Sequence, residues 1–179
     1  YVNKDYIYPY TAYVSRITEI FAEKYKDQPI DVVVGPSMGG IILSQWTAHH
    51  LSRLKNKEVL GVYTEKQPDK DQIFIRGYGQ FIRGKNILVV EDIVTTGGSV
   101  KKVINSVGKE GGHVVAACAI VNKDPDHINI ASLGVPFDYL AIVDTDVYEE
   151  KDCPLCAAGV PINTMLGHGK KFLESQGKV

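Results

Sequence analysis

Apolar residues recur along this chain in two rhythms, one helical and one of short continuous runs. Tyr10, Tyr13, Val14, Ile17, Ile20 and Phe21 fall at helical spacing. They predict an amphipathic helix over residues 9–27, with Pro9 in its first turn and Pro29 marking its end. Ile30-Asp31-Val32-Val33-Val34 is a short β-branched run stopped by Gly35-Pro36, and reads as a strand. Gly39 to Leu54 reads as a mostly apolar helix that packs on a sheet, and Val59 to Tyr63 as a second strand. Residues 64–85 are polar and punctuated by glycine, with Ile73-Phe74-Ile75 and Gln80-Phe81-Ile82 on either side of Gly77-Tyr78-Gly79. That pattern suits a hairpin or a mobile flap. Ile87–Val90 is a third strand. Val100, Val103, Ile104 and Val107 form the buried stripe of the next helix, which Gly111-Gly112 ends. Val114–Val121 and Tyr139–Val143 complete the strands. Such alternation predicts an α/β fold: a doubly wound, mostly parallel five-stranded sheet flanked by helices, with a small hood or flap. A single domain over 1–179 is expected, with residues from about 145 onward as an appendage.

The candidate chemistry gathers where strands end and helices begin. Ile87 to Ser99 reads ILVVEDIVTTGGS: four apolar residues, then Glu91 and Asp92, then Thr95, Thr96, Gly97, Gly98 and Ser99 at a helix start. Open α/β sheets bind ligands beyond the carboxyl ends of their strands. Backbone N–H groups, three hydroxyls and a helix N-terminus suit a phosphate there. The two acids would repel that phosphate, but suit the hydroxyls of a sugar beside it. Gly35-Pro36-Ser37-Met38-Gly39-Gly40 is a second strand–loop–helix junction of small residues. Two anion cradles on one sheet edge suit a sugar phosphorylated at both ends. Lys66 follows the second strand and can reach such an anion. The flap carries Lys70, Arg76 and Arg83, of which Arg76 is the candidate to act. Lys123 follows the fourth strand in Asn122-Lys123-Asp124.

The ordered run of apolar residues, acid pair and Thr-Thr-Gly-Gly-Ser resembles the phosphoribosyl pyrophosphate signature of type I phosphoribosyltransferases. The resemblance extends over nearly the whole chain. It implies that Glu91 and Asp92 hold ribose hydroxyls, that Thr95–Ser99 wrap the 5′-phosphate, and that Gly35–Gly40 hold the pyrophosphate, sometimes with a cis peptide. It also implies Mg²⁺ bound mainly through the substrate, a flap that closes over the site, and a homodimer. Tyr1-Val2-Asn3-Lys4-Asp5 through Tyr10, running into Gly35–Gly40, is similar to the orotate branch of that family. By that similarity Lys4 contacts the phosphate or the pyrimidine, Thr95 lies under the base, and Lys123 stands where the orotate enzymes often carry an arginine for the substrate carboxylate. Transfer of phosphoribosyl to orotate is the leading expectation. Purine salvage, with Lys123 on the purine oxygen, and a non-catalytic sensor of phosphoribosyl pyrophosphate remain alternatives.

Charge and composition narrow the partners. The net charge of −1 gives no basic field for nucleic acid, so any attraction for an anionic substrate must be local. With 44% hydrophobic and 23% charged residues the chain is ordinary for a globular protein. No apolar run approaches the roughly 18 residues of a spanning helix, and no membrane partner is expected. Three cysteines suit a reducing compartment, so the cytoplasm is expected. The start at Tyr1 leaves room for an upstream segment. Cys153-Pro154-Leu155-Cys156 reads as a turn; a metal there would need His168 and a further ligand. Cys118 reads as core, and His49, His50 and His113 as helix or strand-end residues.

Overall fold

Val32 to Pro36 are all buried, as a strand covered on both faces must be. The computed structural model describes residues 2–68, 71–143, 148–167 and 169–177. These form α1 (Thr11–Tyr25), β1 (Val32–Pro36), α2 (Gly39–Lys55), β2 (Leu60–Lys66), β3 (Gln72–Ile73), β4 (Asn86–Val94), α3 (Gly98–Lys109), β5 (His113–Asn122), α4 (Ile130–Leu133), β6 (Phe137–Ile142), α5 (Pro154–Ala157) and α6 (Gly169–Ser175). The sheet order is β3-β2-β1-β4-β5-β6. β3 runs antiparallel to β2, and the remaining pairs are parallel.

Period-2 alternation sorts the core into two layers. Val33, Leu88, Val90, Ala116 and Cys118 lie on one face with Phe21 of α1 and Leu43 and Leu51 of α2. Val32, Val34, Ile87, Val89, Ala117 and Ala119 lie on the other with Val100, Val103 and Val107 of α3. Each fully buried side chain of this size contributes about 1.5–3 kcal/mol, so burial rather than local propensity holds β1 and β4 at the centre.

The sheet has six strands, one more than the hydrophobic pattern predicts. β3 is two residues long, too short to show a period, and it closes a hairpin on β2 through Glu65↔Ile73 and Lys66↔Gln72. Thr64 Oγ1 donates to Gln72 Oε1 at 2.8 Å, and the Ser106 hydroxyl of α3 donates to the Gln72 carbonyl. The segment read as a polar connection also supplies Ile82, fully buried in the α3-side core.

The chain falls into two compact units, Lys4–Val143, and Tyr1–Asn3 with Asp144–Val179. The first carries the sheet. The described residues of the second form α5, α6 and a 3-10 turn at Glu150–Asp152. Among the described residues no helix is long and apolar enough to cross a membrane.

Register decides where a ligand can sit. Pairing of β1 with β4 stops at Val34↔Val89, whereas β4 pairs with β5 as far as Val94↔Asn122. β4 therefore projects past β1. The chain winds from β1 through α2 to β2 on one side, and from β4 through α3 to β5 on the other. The crevice of a doubly wound sheet opens at that switch point.

Candidate active site

Strand β4 does not stop at Val90, where two adjacent acids suggested an end. Glu91, Ile93 and Val94 pair with Ala119, Val121 and Asn122 of β5, and the acids stand within the strand. Alternation then sends them to opposite faces. Glu91 lines a cavity of about 140 Å³ together with Ile93, Val94 and the loop from Thr95 to Val100. One of its carboxylate oxygens, Oε1, accepts the Asp92 N–H at 2.9 Å. Glu91 is only 7% exposed. Burial, and then the neighbouring charge of Asp92, push its carboxyl up to about 8.

The loop itself is open. Thr95, Thr96 and Ser99 are exposed, and Gly97 takes the place of an N-cap without a capping side chain. Its φ of 70° lies in the left-handed region, and a Cβ there would press on Leu133 and Ile128. The first N–H groups of α3 thus begin at a bare glycine, with the positive end of the helix dipole beside the cavity.

The second loop is tight instead. The Gly35 and Gly40 backbones approach so closely that a Cβ on Gly35 would overlap Gly40, and one on Gly40 would meet Pro36. The Ser37–Met38 peptide is cis. Ser37 N donates to the Thr64 carbonyl at 2.9 Å, and Ser37 Oγ accepts from the Lys66 N–H at 3.3 Å. Those bonds dock the loop on the end of β2 and set the backbone of Lys66 beside it. Met38 is exposed at the loop tip.

Asp92 faces the α1–α2 side and is 2% exposed. Its Oδ2 accepts from the Tyr8 hydroxyl and from Lys4 Nζ, both at 2.7 Å, and its Oδ1 accepts the Ile93 N–H at 2.6 Å. Burial works against the Lys4 charge, but the hydrogen bond and charge of Asp92, with Glu91 behind it, hold its ammonium above the ordinary lysine value. Burial and then the Asp92 charge push the Tyr8 phenol far up. Gly39, first residue of α2, lies against this pair: a Cβ there would overlap both Asp92 Oδ2 and the Tyr8 hydroxyl. Tyr8 had no signal in the hydrophobic pattern, and only the fold brings it to the acid.

The other candidates are placed less closely. Arg76, at φ 62°, donates from Nε to Glu65 Oε1 at 2.7 Å, on the surface of the hairpin. Lys123 is half-buried, and its N–H donates to the Val94 carbonyl at 2.9 Å, at the rim of the cavity strand. Arg83 is exposed, and Lys70 and His168 lie outside the described residues. His49 and His50 lie on α2 around Trp46, and His113 opens β5. Cys118 is buried in the core, and that burial pushes its thiol well up. Cys153 precedes α5 and Cys156 lies within it. No group of three or more metal-ligating side chains occurs among the described residues.

Two glycine-containing loops flank a carboxylate pair at the switch point of a doubly wound sheet, the geometry of an α/β ligand-binding protein. Residues 4–132 match the family described as phosphoribosyl transferase domain, and the chain belongs to that family. An orotate phosphoribosyltransferase of Caldanaerobacter subterraneus subsp. tengcongensis is 38% identical over 156 residues, 87% of this chain and 76% of that one. One of Thermotoga maritima is 33% identical over 172 residues, 96% of this chain and 86% of that one. The solved orotate phosphoribosyltransferase of Mycobacterium tuberculosis in complex with 5-phospho-α-D-ribosyl 1-diphosphate has the same fold. Its TM-score is 0.61 at 20% identity, covering 80% of this chain and 81% of that one.

Proposed function

We propose that this chain is an enzyme that transfers the 5-phosphoribosyl group from phosphoribosyl pyrophosphate to orotate, giving orotidine monophosphate and pyrophosphate. The observation that carries the reading is the cavity bounded by Glu91 and the Thr95–Ser99 loop, in a chain 33–38% identical to proteins named orotate phosphoribosyltransferase.

In this reading the Thr95, Thr96 and Ser99 hydroxyls and the N–H groups of Gly97 and Gly98 hold the 5′-phosphate. The ribose hydroxyls lie against Glu91 and Asp92. The Gly35–Gly40 loop takes the diphosphate, and Lys66 adds a positive charge from the end of β2. Thr95 lies under the base, while Lys123 and Lys4 supply charge for its carboxylate and for the phosphate. Arg76 exchanges Glu65 for the leaving group when the hairpin closes.

Breaking the C1–O bond to diphosphate puts positive charge on the ribose. The protein's work is then placement and charge stabilisation, without a covalent intermediate. A positive charge forming beside Glu91 favours the ionised form of a carboxyl that burial otherwise holds above the usual range. Closure over the cavity excludes the water that would hydrolyse the activated sugar.

The residues fit Mg²⁺ carried in by the diphosphate. A carboxylate at the cavity wall suits an ion whose other ligands are substrate oxygens and water, and Glu91 and Asp92 are the nearby acids. When bound, the ion would neutralise the leaving diphosphate. We further propose a homodimer working in the cytoplasm.

Incubation with phosphoribosyl pyrophosphate, Mg²⁺ and one base at a time tests the reading. Pyrophosphate release with orotate, and not with adenine, guanine or hypoxanthine, is expected. Turnover of a purine would contradict the substrate. Binding of phosphoribosyl pyrophosphate without turnover of any base would contradict catalysis.

A further inference from the structure

We propose that Tyr8 is a positioning residue: its hydroxyl fixes the Asp92 carboxylate and, through Gly39, sets the ribose end and the diphosphate end of the site as one unit. The inference rests on the phosphoribosyl-transfer reading and assigns a role to the segment ahead of α1.

Three features of the geometry lead there. Asp92 accepts from three donors, the Ile93 N–H on Oδ1 and Tyr8 and Lys4 on Oδ2. Its side chain is therefore held in one rotamer. The two donors on Oδ2 differ in kind. Lys4 sits on a flexible stem with its side chain 36% exposed, and a substrate hydroxyl can take its place. Tyr8 is half-buried, with its ring packed against the core layer of α1 and α2. That donor stays when the site fills. The third feature is Gly39. Any side chain there would collide with both the Tyr8 hydroxyl and Asp92 Oδ2. The first residue of α2, which closes the tight Gly35–Gly40 loop, is thus in contact with the acid and its anchor. A shift of the loop is transmitted to Asp92 by packing, and a shift of Asp92 to the loop. Packing alone does not call for the hydroxyl, since a phenyl ring would fill the same place in the core.

Tyr8→Phe tests this, because it keeps the ring and removes the donor. A hydrogen bond to a carboxylate that shapes substrate binding predicts a rise of about 10-fold in KM for phosphoribosyl pyrophosphate. KM for orotate should stay within about 2-fold, and Tm within about 3 °C. Because Tyr8 acts through Asp92, Tyr8→Phe in an Asp92→Ala background, which leaves the hydroxyl no acceptor, should add less than about 2-fold. Gly39→Ala, which forces a methyl group against the same hydroxyl, should raise the same KM as a second variant. Tyr6→Phe, a nearby tyrosine that is 72% exposed, should change none of these. A lowered Tm with unchanged KM would reduce Tyr8 to a packing residue and overturn the inference. So would full multiplication of the two effects in the double variant. Wild-type protein that turns over orotate while Tyr8→Phe matches it overturns the inference alone. Wild-type protein that neither binds phosphoribosyl pyrophosphate nor turns it over overturns the functional reading, and the inference with it.

Discussion

Glu91 faces a cavity of about 140 Å³ and the open Thr95–Ser99 loop, while Asp92, one residue further on, faces Tyr8, Lys4 and the tight Gly35–Gly40 loop. The pair is adjacent in sequence but is split by the pleat of one strand. β1 ends its pairing at Val89, so that edge of the last β4 residues has no strand partner and borders the crevice. The lesson is that two neighbouring carboxylates need not share a role. Glu91 has one oxygen engaged by backbone and lines the cavity, whereas Asp92 has its charge compensated inside the protein.

That contrast can be tested most severely at Asp92. Asp92→Asn keeps an oxygen that can accept from Tyr8 but loses the charge opposite Lys4 and the ribose. It is expected to lower kcat/KM by about 10²–10³-fold, the scale of losing one preorganised electrostatic contact. Stability should fall by only about 1–3 kcal/mol, the scale of one weakened buried hydrogen bond. Near-normal turnover with a large loss of stability would make Asp92 purely structural.

Glu91→Gln is expected to cost less turnover, about 10–100-fold, because the amide still offers an oxygen to a hydroxyl. It has an additional signature in pH. The folded Glu91 carboxyl titrates near 8, above its value of 4.5 in the unfolded chain. The folded state therefore holds the proton more tightly, and Glu91 favours folding most below about pH 4. That contribution is lost as pH rises through about 8. Glu91→Gln should match wild type near pH 4 and be more stable at pH 9, by on the order of 1 kcal/mol or more. Denaturant titrations at pH 5, 7 and 9 measure the slope; parallel curves for the two proteins would remove the buried-carboxylate account.

The sequence carried the core of the fold because the β-branched runs of β1 and β4 and the stripe Val100, Val103, Ile104, Val107 reflect burial directly. The two loops were legible for a similar reason: glycines at close backbone approaches and hydroxyls at a helix start mark strand–loop–helix junctions. The continuation of β4 through Glu91 and Asp92 was not legible. Acids look like a strand end, and only the early stop of β1 leaves them a crevice within the sheet. The antiparallel edge strand was hidden because two residues, Gln72 and Ile73, have no period. Tyr8 was hidden because the hydrogen bond that identifies it spans 84 positions of sequence. Arg76 stood out as a flap cation, but its ion pair with Glu65 depends on the hairpin register of β2 and β3, which no local pattern encodes.

A crystal soaked with phosphoribosyl pyrophosphate and Mg²⁺ is the most direct test of the two-cradle site. Density for the 5′-phosphate among Thr95–Ser99, for the diphosphate against Gly35–Gly40, and for the ribose hydroxyls beside Glu91 and Asp92 is the expected result. Phosphate density away from the Thr95–Ser99 loop, or a ribose that touches neither acid, would contradict it.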